Sequence, residues 1–323
     1  MSALRLGSRG SALALAQAGL VREQLEALGE QVEMVVIQTS GDERPGDAPA
    51  AGISSEERSR NAVPASTAAG FSDKSRFVKE IEDALLREEI DLAVHSAKDV
   101  PGELPEGLAI VGVPERADPR DSLCGAPELD ALPEGAVVGT ASLRRRAQLL
   151  AARPDLDVRD LRGNVDTRLR RLDEDGFAAI VLAAAGLARL GRDEGEPIPT
   201  ATMTPAPGQG CLALEARTGD EHTSQLAERL THHDSLVCLT AERAVVQGLG
   251  ATCRTPVGAL AHLEGGAGLC LEVFAGMPDG STWVRDSLMG EAGNPVALGR
   301  AVTERMLLAG AGELLEAAEH ALQ

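Results

Sequence analysis

Short apolar strands alternate with amphipathic helices along most of the chain, and this alternation is the feature that most limits its fold. The segment "ALRLGS" has the pattern of a strand. The next segment is predicted to form a helix that begins after the N-cap Ser11 and ends at Gly29. Further strands and helices follow in the same order. Repeated strand–helix units build a mostly parallel α/β sheet, which binds ligands beyond the carboxyl ends of its strands.

A second series of strands and helices runs from "GAVVGT" to "GLARLG", and it predicts a second α/β domain. From about Leu226 the pattern changes to short strands between helices, which is typical of a smaller α+β domain. Residues 43–70 match neither pattern and are rich in Ala, Ser, Pro and Gly. We expect a mobile loop there, beside the crevice. Plain disorder without a function is an equally good interpretation of that segment.

The composition excludes several classes of protein. The chain has 31 basic and 50 acidic residues, four Phe, one Trp and no Tyr, which argues against a nucleic-acid partner. No apolar run is long enough to span a membrane, and the N-terminus lacks a signal-peptide pattern, so we expect a cytoplasmic protein. The five cysteines are widely spaced and form no CxxC pair. They predict neither disulfides nor a metal site, and most of them should be buried.

Residues 144–171 hold nine arginines and only four acidic residues within this acidic chain. Arg144 and Arg145 stand at the start of a predicted helix, and Arg162 and Arg168 lie near the next junction of strand and helix. Helix N-termini favour anions, and guanidinium groups bind carboxylates in a bidentate manner. These four therefore predict a site for a ligand with several carboxylates. For the outer arginines we favour a solvated face paired with neighbouring aspartates: Arg153, Arg159, Arg170 and Arg171.

Two short motifs carry candidate reactive groups. In "AVHSAKDVP", Asp99 follows a buried strand and would be a lone acid facing the arginines. Such a carboxylate can stabilise developing positive charge or move a proton. A surface turn of Lys98 and Asp99 is the alternative. In "TCRTPVG", Cys253 precedes Arg254, whose charge would lower the pKa of the thiol and make it more nucleophilic. An ordinary loop cysteine is the alternative there.

Seven motifs, in order along almost the whole chain, closely resemble the porphobilinogen deaminase family, whose members are also called hydroxymethylbilane synthases. The motifs are "RLGSRGSALALAQA", "FVKEIEDALLREEIDLAVHSAKDVP", "PRDSL", "GTASLRRRAQLLAARPDLDVRDLRGNVDTRL", "AAIVLAAAGLARLG", "PAPGQG" and "TAERA…CRTPVG".

The resemblance implies a transferase of tetrapyrrole (porphyrin and haem) biosynthesis. It would join four porphobilinogen units head to tail, with loss of ammonia, to give the linear hydroxymethylbilane. The resemblance also implies a dipyrromethane cofactor, held by a thioether to Cys253, and Asp99 as the catalytic acid. Each pyrrole brings two carboxylates, which accounts for the many arginines. Members of the family are usually monomers.

The same resemblance implies a fold of two periplasmic-binding-protein-like α/β domains and a smaller α+β third domain. The expected boundaries are 1–115 with 203–220 for the first domain, 116–202 for the second and 221–323 for the third. The implied cofactor contacts are Ser11, Lys98, Thr140, Ser142, Arg144 and Arg145. The implied substrate contacts are Arg9, Lys74, Phe77, Arg162, Arg168 and Arg189.

The chain departs from the family pattern at two places. Gly70 stands where a second lysine is usual, within a lengthened segment, and Ala251 and Thr252 replace two glycines before Cys253. A non-catalytic clamp for a polycarboxylate is the competing function, and the arginines alone do not exclude it. Asp99 and Cys253 separate the two functions, because a binding protein needs neither a catalytic acid nor a covalent anchor.

Overall fold

The computed structural model describes residues 3–37, 73–252 and 254–321, without the side chains of residues 73–77. The predicted loop 43–70, the thiol of Cys253 and the side chains of Lys74 and Phe77 therefore lie outside the described residues. The described part contains two five-stranded sheets with helices and a three-stranded sheet near the C-terminus. The expected fold class, two α/β units with a smaller α+β unit, is confirmed.

The strands are numbered in chain order. They are β1 (Leu4–Arg9), β2 (Val32–Ile37), β3 (Leu92–Ser96), β4 (Leu108–Gly112), β5 (Asp121–Cys124), β6 (Val137–Gly139), β7 (Asp157–Arg159), β8 (Ala179–Ala183), β9 (Glu196–Pro197), β10 (Leu212–Arg217), β11 (Val257–Glu264), β12 (Gly268–Gly276) and β13 (Trp283–Glu291).

The helices of the described residues are numbered in the same way. They are α1 (Ala12–Ala27), α2 (Asp73–Leu86), α3 (Leu143–Ala152), α4 (Val165–Glu174), α5 (Ala184–Arg189), α6 (Glu221–Arg229), α7 (His233–Gly248), α8 (Pro295–Leu308) and α9 (Ala311–His320). Two short 3-10 turns lie at Ala97–Asp99 and Leu129–Ala131. None of the helices in the described part of the chain is long and apolar enough to cross a membrane.

The first sheet has the strand order β2-β1-β3-β10-β4. Strand β1 runs parallel to β2 and β3, whereas β10 is antiparallel to both of its neighbours, β3 and β4. The chain therefore leaves this sheet after β4 and returns with β10, which inserts between β3 and β4. Leu6, Leu92 and Leu214 are fully buried in the core between this sheet and its helices. This return brings residues near 209–215 beside the end of β3.

The second sheet has the order β7-β6-β8-β5-β9, with β6 parallel to β7 and β8 and with β5 antiparallel to β8. The third sheet, β11-β12-β13, is a simple antiparallel meander. Its apolar face, which includes Leu271 and Val273, packs on α7, α8 and α9. The domain boundaries expected from the sequence stay a prediction, since strands alone do not define them.

Three side chains cap the helices that begin at the strand ends. The N-cap Ser11 accepts a hydrogen bond from the backbone of Ala14, as predicted, and Gly29 has a φ of +92° just after α1. Ser142 and Asn164 cap α3 and α4 in the same manner. Capping satisfies N–H groups that the first helical turn cannot pair internally. These caps fix where the arginine-bearing helices start.

A buried ion pair joins the segment after β4 to the C-terminal unit. Arg116 donates to Glu242 at 2.6 Å, and the Glu242 carboxylate also accepts backbone N–H groups from Gly208 and Ala261. Glu242 is fully buried on α7. One carboxylate thus ties together the segment after β4, the segment before β10 and the third sheet.

Candidate active site

The first edge of the candidate site is the turn that follows β3. The strand ends at Ser96, and the 3-10 turn Ala97–Asp99 carries both Lys98 and Asp99. Lys98 donates to the side-chain oxygen of Gln209 at 3.3 Å. Asp99 is half-buried, as are Arg9 and Ser11 at the carboxyl end of β1. Candidate residues from two strands therefore lie at the same edge of the first sheet.

The second edge carries the arginines. Arg168 lies in the first turn of α4 and donates to the carbonyl of Gly163 at 2.7 Å. The pKa of Arg168 is lowered to about 10, first by burial and then by the positive charges of Arg145 and Arg162, while the negative charge of Asp99 opposes this. The charge of Asp99, at the edge of the first sheet, therefore acts on an arginine of the second α/β unit.

The predicted arginines differ widely in exposure. The side chain of Arg162 is 75% exposed and lies 3.6 Å from Asp160, so its guanidinium is open to a ligand. Arg189 is half-buried at the end of α5, donates to the carbonyl of Gly210 at 2.6 Å, and has a pKa lowered by burial. An exposed guanidinium can reorient toward a carboxylate, whereas a half-buried one offers a more fixed charge.

Arg144 and Arg145 are buried and paired within the protein. Arg144 contacts one oxygen of Asp121 at 2.7 Å, and Arg145 donates twice to the other oxygen, at 2.9 and 2.7 Å. Gln209 donates to the same carboxylate at 3.0 Å. We call Asp121, Arg144, Arg145 and Gln209 the Asp121 cluster. Through Gln209 and its contact with Lys98, this cluster reaches the turn that carries Asp99.

Electrostatics keep the Asp121 cluster charged. Burial alone would raise the pKa of Asp121, but Arg144 and Arg145 outweigh it and hold that pKa far below the ordinary range. Sequence reasoning assigned no chemistry to Asp121 or Gln209. Both stand in motifs that carry the resemblance, "PRDSL" and "PAPGQG", and those motifs were the only signal for them.

Two hydroxyl residues stand at the entrance to α3. Thr140 is buried and its hydroxyl accepts a hydrogen bond from the backbone of Ser142 at 3.2 Å. Ser142 in turn caps α3 by accepting from the backbone of Arg145. Both predicted cofactor contacts therefore shape the turn at the carboxyl end of β6. Their position next to the arginines agrees with a site for an anionic group.

The four outer arginines pair with nearby acids on the surface. Arg153 pairs with Asp155, Arg159 with Asp157, Arg170 with Glu174 and Arg171 with Asp175. Exposed pairs of this kind contribute little to stability. The arginine-rich segment is thus divided by the fold into a buried pair, a group at the crevice and a solvated face.

Four of the five cysteines are free and buried, as expected: Cys124, Cys211, Cys238 and Cys270. Burial raises the pKa of Cys211 to about 12 and those of Cys124 and Cys238 to about 11, which makes these thiols poor nucleophiles. Among the described residues, His262, Cys270 and Glu272 place potential metal ligands within 4.8 Å of one another. His262 is already paired with Glu264 at 3.0 Å.

Comparison with known proteins identifies the family. Residues 4–225 match the family model described as porphobilinogen deaminase, dipyromethane cofactor binding domain, and residues 236–308 match that of its C-terminal domain. The chain belongs to the porphobilinogen deaminase family. It is 46% identical to the porphobilinogen deaminase of Thermus thermophilus over 321 residues, which cover 98% of this chain and 99% of that protein. It is 43% identical to that of Deinococcus radiodurans, over 98% and 99% of the two chains.

Solved structures with similar architecture are much more distant in sequence. The methionine-binding protein MetQ is 13% identical, with a TM-score of 0.42, over 70% of this chain and 89% of that one. YehZ from Escherichia coli is 11% identical, with a TM-score of 0.42, over 72% and 86% of the two chains.

Proposed function

We propose that the reaction of the porphobilinogen deaminase family takes place in this chain between the Asp99 turn and the arginines of the second sheet. Family membership makes the chain a transferase of tetrapyrrole biosynthesis, which joins four porphobilinogen units into hydroxymethylbilane. The observation that carries the proposal is the mutual influence of Asp99 and Arg168 across the two sheets. A lone carboxylate among guanidinium groups suits a substrate that is cationic where it reacts and anionic at its periphery.

Asp99 is the catalytic acid in this proposal. Porphobilinogen loses ammonia from its aminomethyl carbon, and the remaining azafulvene is a cation that a carboxylate stabilises. A new carbon–carbon bond then joins this carbon to the free α-position of the preceding pyrrole, which loses a proton. Asp99 is half-buried and its charge acts on that of Arg168, and its carboxylate oxygens can accept hydrogen bonds from pyrrole N–H groups. Water releases the finished tetrapyrrole.

Carboxylate recognition is assigned to residues on both edges. Arg162 and Arg168 are the best placed, because the first is exposed and the second is close to Asp99. Arg9 and Arg189 extend the positive surface at the ends of β1 and α5. Lys74 and Phe77 complete the proposed substrate contacts, from the sequence alone.

The donors around α3 fit the dipyrromethane cofactor. Its acetate and propionate groups are anions, and the candidate contacts supply cations and hydroxyl groups at helix N-termini: Ser11, Lys98, Thr140, Ser142, Arg144 and Arg145. Arg144 and Arg145 already pair with Asp121, so we assign them mainly to a fixed positive framework. The cofactor, held by Cys253, supplies the primer to which the first substrate unit is joined.

A carboxylate-binding clamp without catalysis would need the same arginines, but it would not need Asp99. We further propose that the protein works as a cytoplasmic monomer without a nucleic-acid partner, in agreement with its net charge of −19.

Replacement of the Asp99 carboxylate tests the proposal. Asp99→Asn is expected to fold, to bind porphobilinogen and to lose on the order of 10²–10³ in turnover, because stabilisation of developing charge is removed. The measurement is the rate of hydroxymethylbilane formation, with circular dichroism to check the fold. Asp157→Asn is the matched control, since Asp157 is an exposed acid paired with Arg159 in the second sheet. Near-normal turnover in Asp99→Asn would overturn the assignment.

A further inference from the structure

A second group of buried ionisable side chains lies directly behind the Asp99 turn. His95 on β3 and Glu215 on β10 are 2.9 Å apart between Nε2 and Oε2, and their side chains are 4% and 1% exposed. Glu82 on α2 is 5% exposed and its charge interacts with both of them. We call His95, Glu82 and Glu215 the His95 cluster. The reaction as described above uses none of the three.

The topology of the first sheet explains why the three side chains meet. Strand β10 returns antiparallel beside β3, with Ala213 opposite His95 and Glu215 opposite Ala93. His95 and Glu215 are therefore diagonal neighbours on one face of the sheet. Helix α2 packs on β3 and on the 3-10 turn, and this brings Glu82 over the pair. The cluster thus connects three elements at the place where the catalytic turn begins.

The cluster is polar, and its hydrogen bonds are incomplete. Among the described residues, neither oxygen of Glu215 nor Oε1 of Glu82 accepts a hydrogen bond of regular geometry. Burying such groups costs free energy, so a core built only for stability would hold apolar side chains here. Within the cluster, Nε2 of His95 lies 2.9 Å from the Glu215 carboxylate. Such a costly arrangement points to a role beyond packing.

Other charges face the cluster from each element packed on it. Lys79 and Asp83 act on Glu82 from α2 itself. Arg243 of α7 interacts with Glu215 and donates to the carbonyls of Pro101 and Gly102, at 2.9 and 3.0 Å. Those two carbonyls follow Asp99 by two and three residues. The chain around Asp99 is therefore flanked by His95, which contacts Glu215, and by Arg243, whose charge interacts with that of Glu215.

We propose that His95 is a positioning residue: through its contact with Glu215 it fixes the end of β3 and thereby the place of the Asp99 carboxylate. The inference rests on the proposed role of Asp99. His95 precedes Asp99 by four residues, and only the short turn Ala97–Asp99 lies between the strand and the acid. A displacement of about 1 Å in a reacting group can cost about 10²-fold in rate. Loosening the strand end would therefore slow the chemistry and leave the arginines in place.

Two replacements of His95 separate positioning from simple stability. His95→Leu keeps an apolar volume but removes the contact with Glu215, and we expect kcat to fall about 30- to 100-fold with KM within about threefold. His95→Gln keeps a side-chain N–H that can reach Glu215, and we expect it to restore kcat to within about fivefold of the wild type. Both are measured on holoenzyme, with cofactor loading checked by intact mass.

Thr303→Val is the matched control. Thr303 is equally buried and donates to the carbonyl of Gly299 at 2.8 Å, but it lies on α8 in the C-terminal unit, away from Asp99. This variant should lose some stability and keep its kcat. If His95→Leu does not fold, Glu215→Gln takes its place, because it removes the charge that His95 contacts and should show the same fall in kcat.

Three results would overturn the inference: wild-type kcat in His95→Leu, equal losses in His95→Leu and His95→Gln, or a rise in KM that accounts for the whole effect. Asp99→Asn, assayed in parallel, keeps the two proposals apart. If Asp99→Asn is inactive while both His95 variants are normal, only the positioning role fails. If Asp99→Asn is active, the proposed catalytic role fails as well.

Discussion

The Asp121 cluster and the His95 cluster both bury ionisable groups beside the crevice, yet they have opposite electrostatic states. In the first, one carboxylate accepts hydrogen bonds from two arginines and a glutamine, and the pKa of Asp121 is far below its ordinary range. In the second, two carboxyl groups share one imidazole, and burial together with Glu215 raises the pKa of Glu82 to about 7. The difference lies in the number of donors around each carboxyl group.

This difference suggests that the Asp121 cluster and the His95 cluster have different roles. A carboxylate saturated with guanidinium donors stays charged at every working pH, so the Asp121 cluster can serve as a rigid support for the second sheet. A carboxyl group with too few donors holds a proton near neutral pH, so the His95 cluster can change its charge without unfolding. The first supports the arginines, and the second lies against the turn that carries Asp99.

The largest effect is expected from breaking the Asp121 cluster. Asp121→Asn removes the buried negative charge and leaves two buried guanidinium groups without a counter-charge, which should cost about 3–5 kcal/mol of the free energy of unfolding. Chemical denaturation measures this. Asp175→Asn is the control, because Asp175 pairs with Arg171 on the surface. The denaturation midpoint of this variant should stay close to that of the wild type. Equal midpoints for the two variants would show that the buried pair is not a support.

A smaller effect is expected from the His95 cluster, where the free energy of unfolding should fall as pH rises. Folded Glu82 keeps its proton up to about pH 7, whereas an unfolded glutamate releases it near pH 4.5. Between these values the folded state binds more protons, so stability contributed by this group is full below pH 4.5 and is lost as pH rises toward 7. Glu82→Gln removes that loss. Its free energy of unfolding, relative to that of the wild type, should therefore rise by about 2–3 kcal/mol as pH goes from 4.5 to 8.

Denaturation of the wild type and of Glu82→Gln at several pH values tests this directly. Glu80→Gln is a control on the same helix, with a change of the same chemical kind. A difference between wild type and Glu82→Gln that does not vary with pH would contradict the assigned protonation state. Acid below about pH 4 should destabilise both proteins alike, because unfolded Asp121 takes up a proton there while the pKa of folded Asp121 is held far below that range.

Much of the fold could be predicted from local patterns. The cap at Ser11, the glycine after α1 and the turn that delivers Asp99 are encoded within a few residues, and each is where the sequence predicts it. The role of the insert 43–70 stays a prediction. The general class of the fold follows from the order of strands and helices, because few arrangements bury their apolar faces.

Which arginines are buried and paired, and which are exposed to a ligand, could not be predicted. The sequence treats Arg144, Arg145, Arg162 and Arg168 alike, because each stands near the start of an element. Arg144 and Arg145 are buried because they pair with Asp121, which is 23 and 24 residues away from them along the chain. His95 and Glu215 likewise meet only because β10 returns to the first sheet. Long-range pairing of this kind leaves no local pattern.

The proposed function requires a primer bound covalently at Cys253, which the transferase elongates, and intact mass spectrometry tests this most directly. Freshly purified protein should exceed its sequence mass by two condensed pyrroles, and brief exposure to porphobilinogen should add a ladder of further units. Peptide mapping should place the added mass on the Cys253 peptide, and Cys253→Ser should lose both the mass and the activity. The four buried cysteines should carry nothing, because burial raises the pKa of three of them to about 11 or 12 and shields the fourth. Fully active enzyme with an unmodified Cys253 peptide would contradict the account.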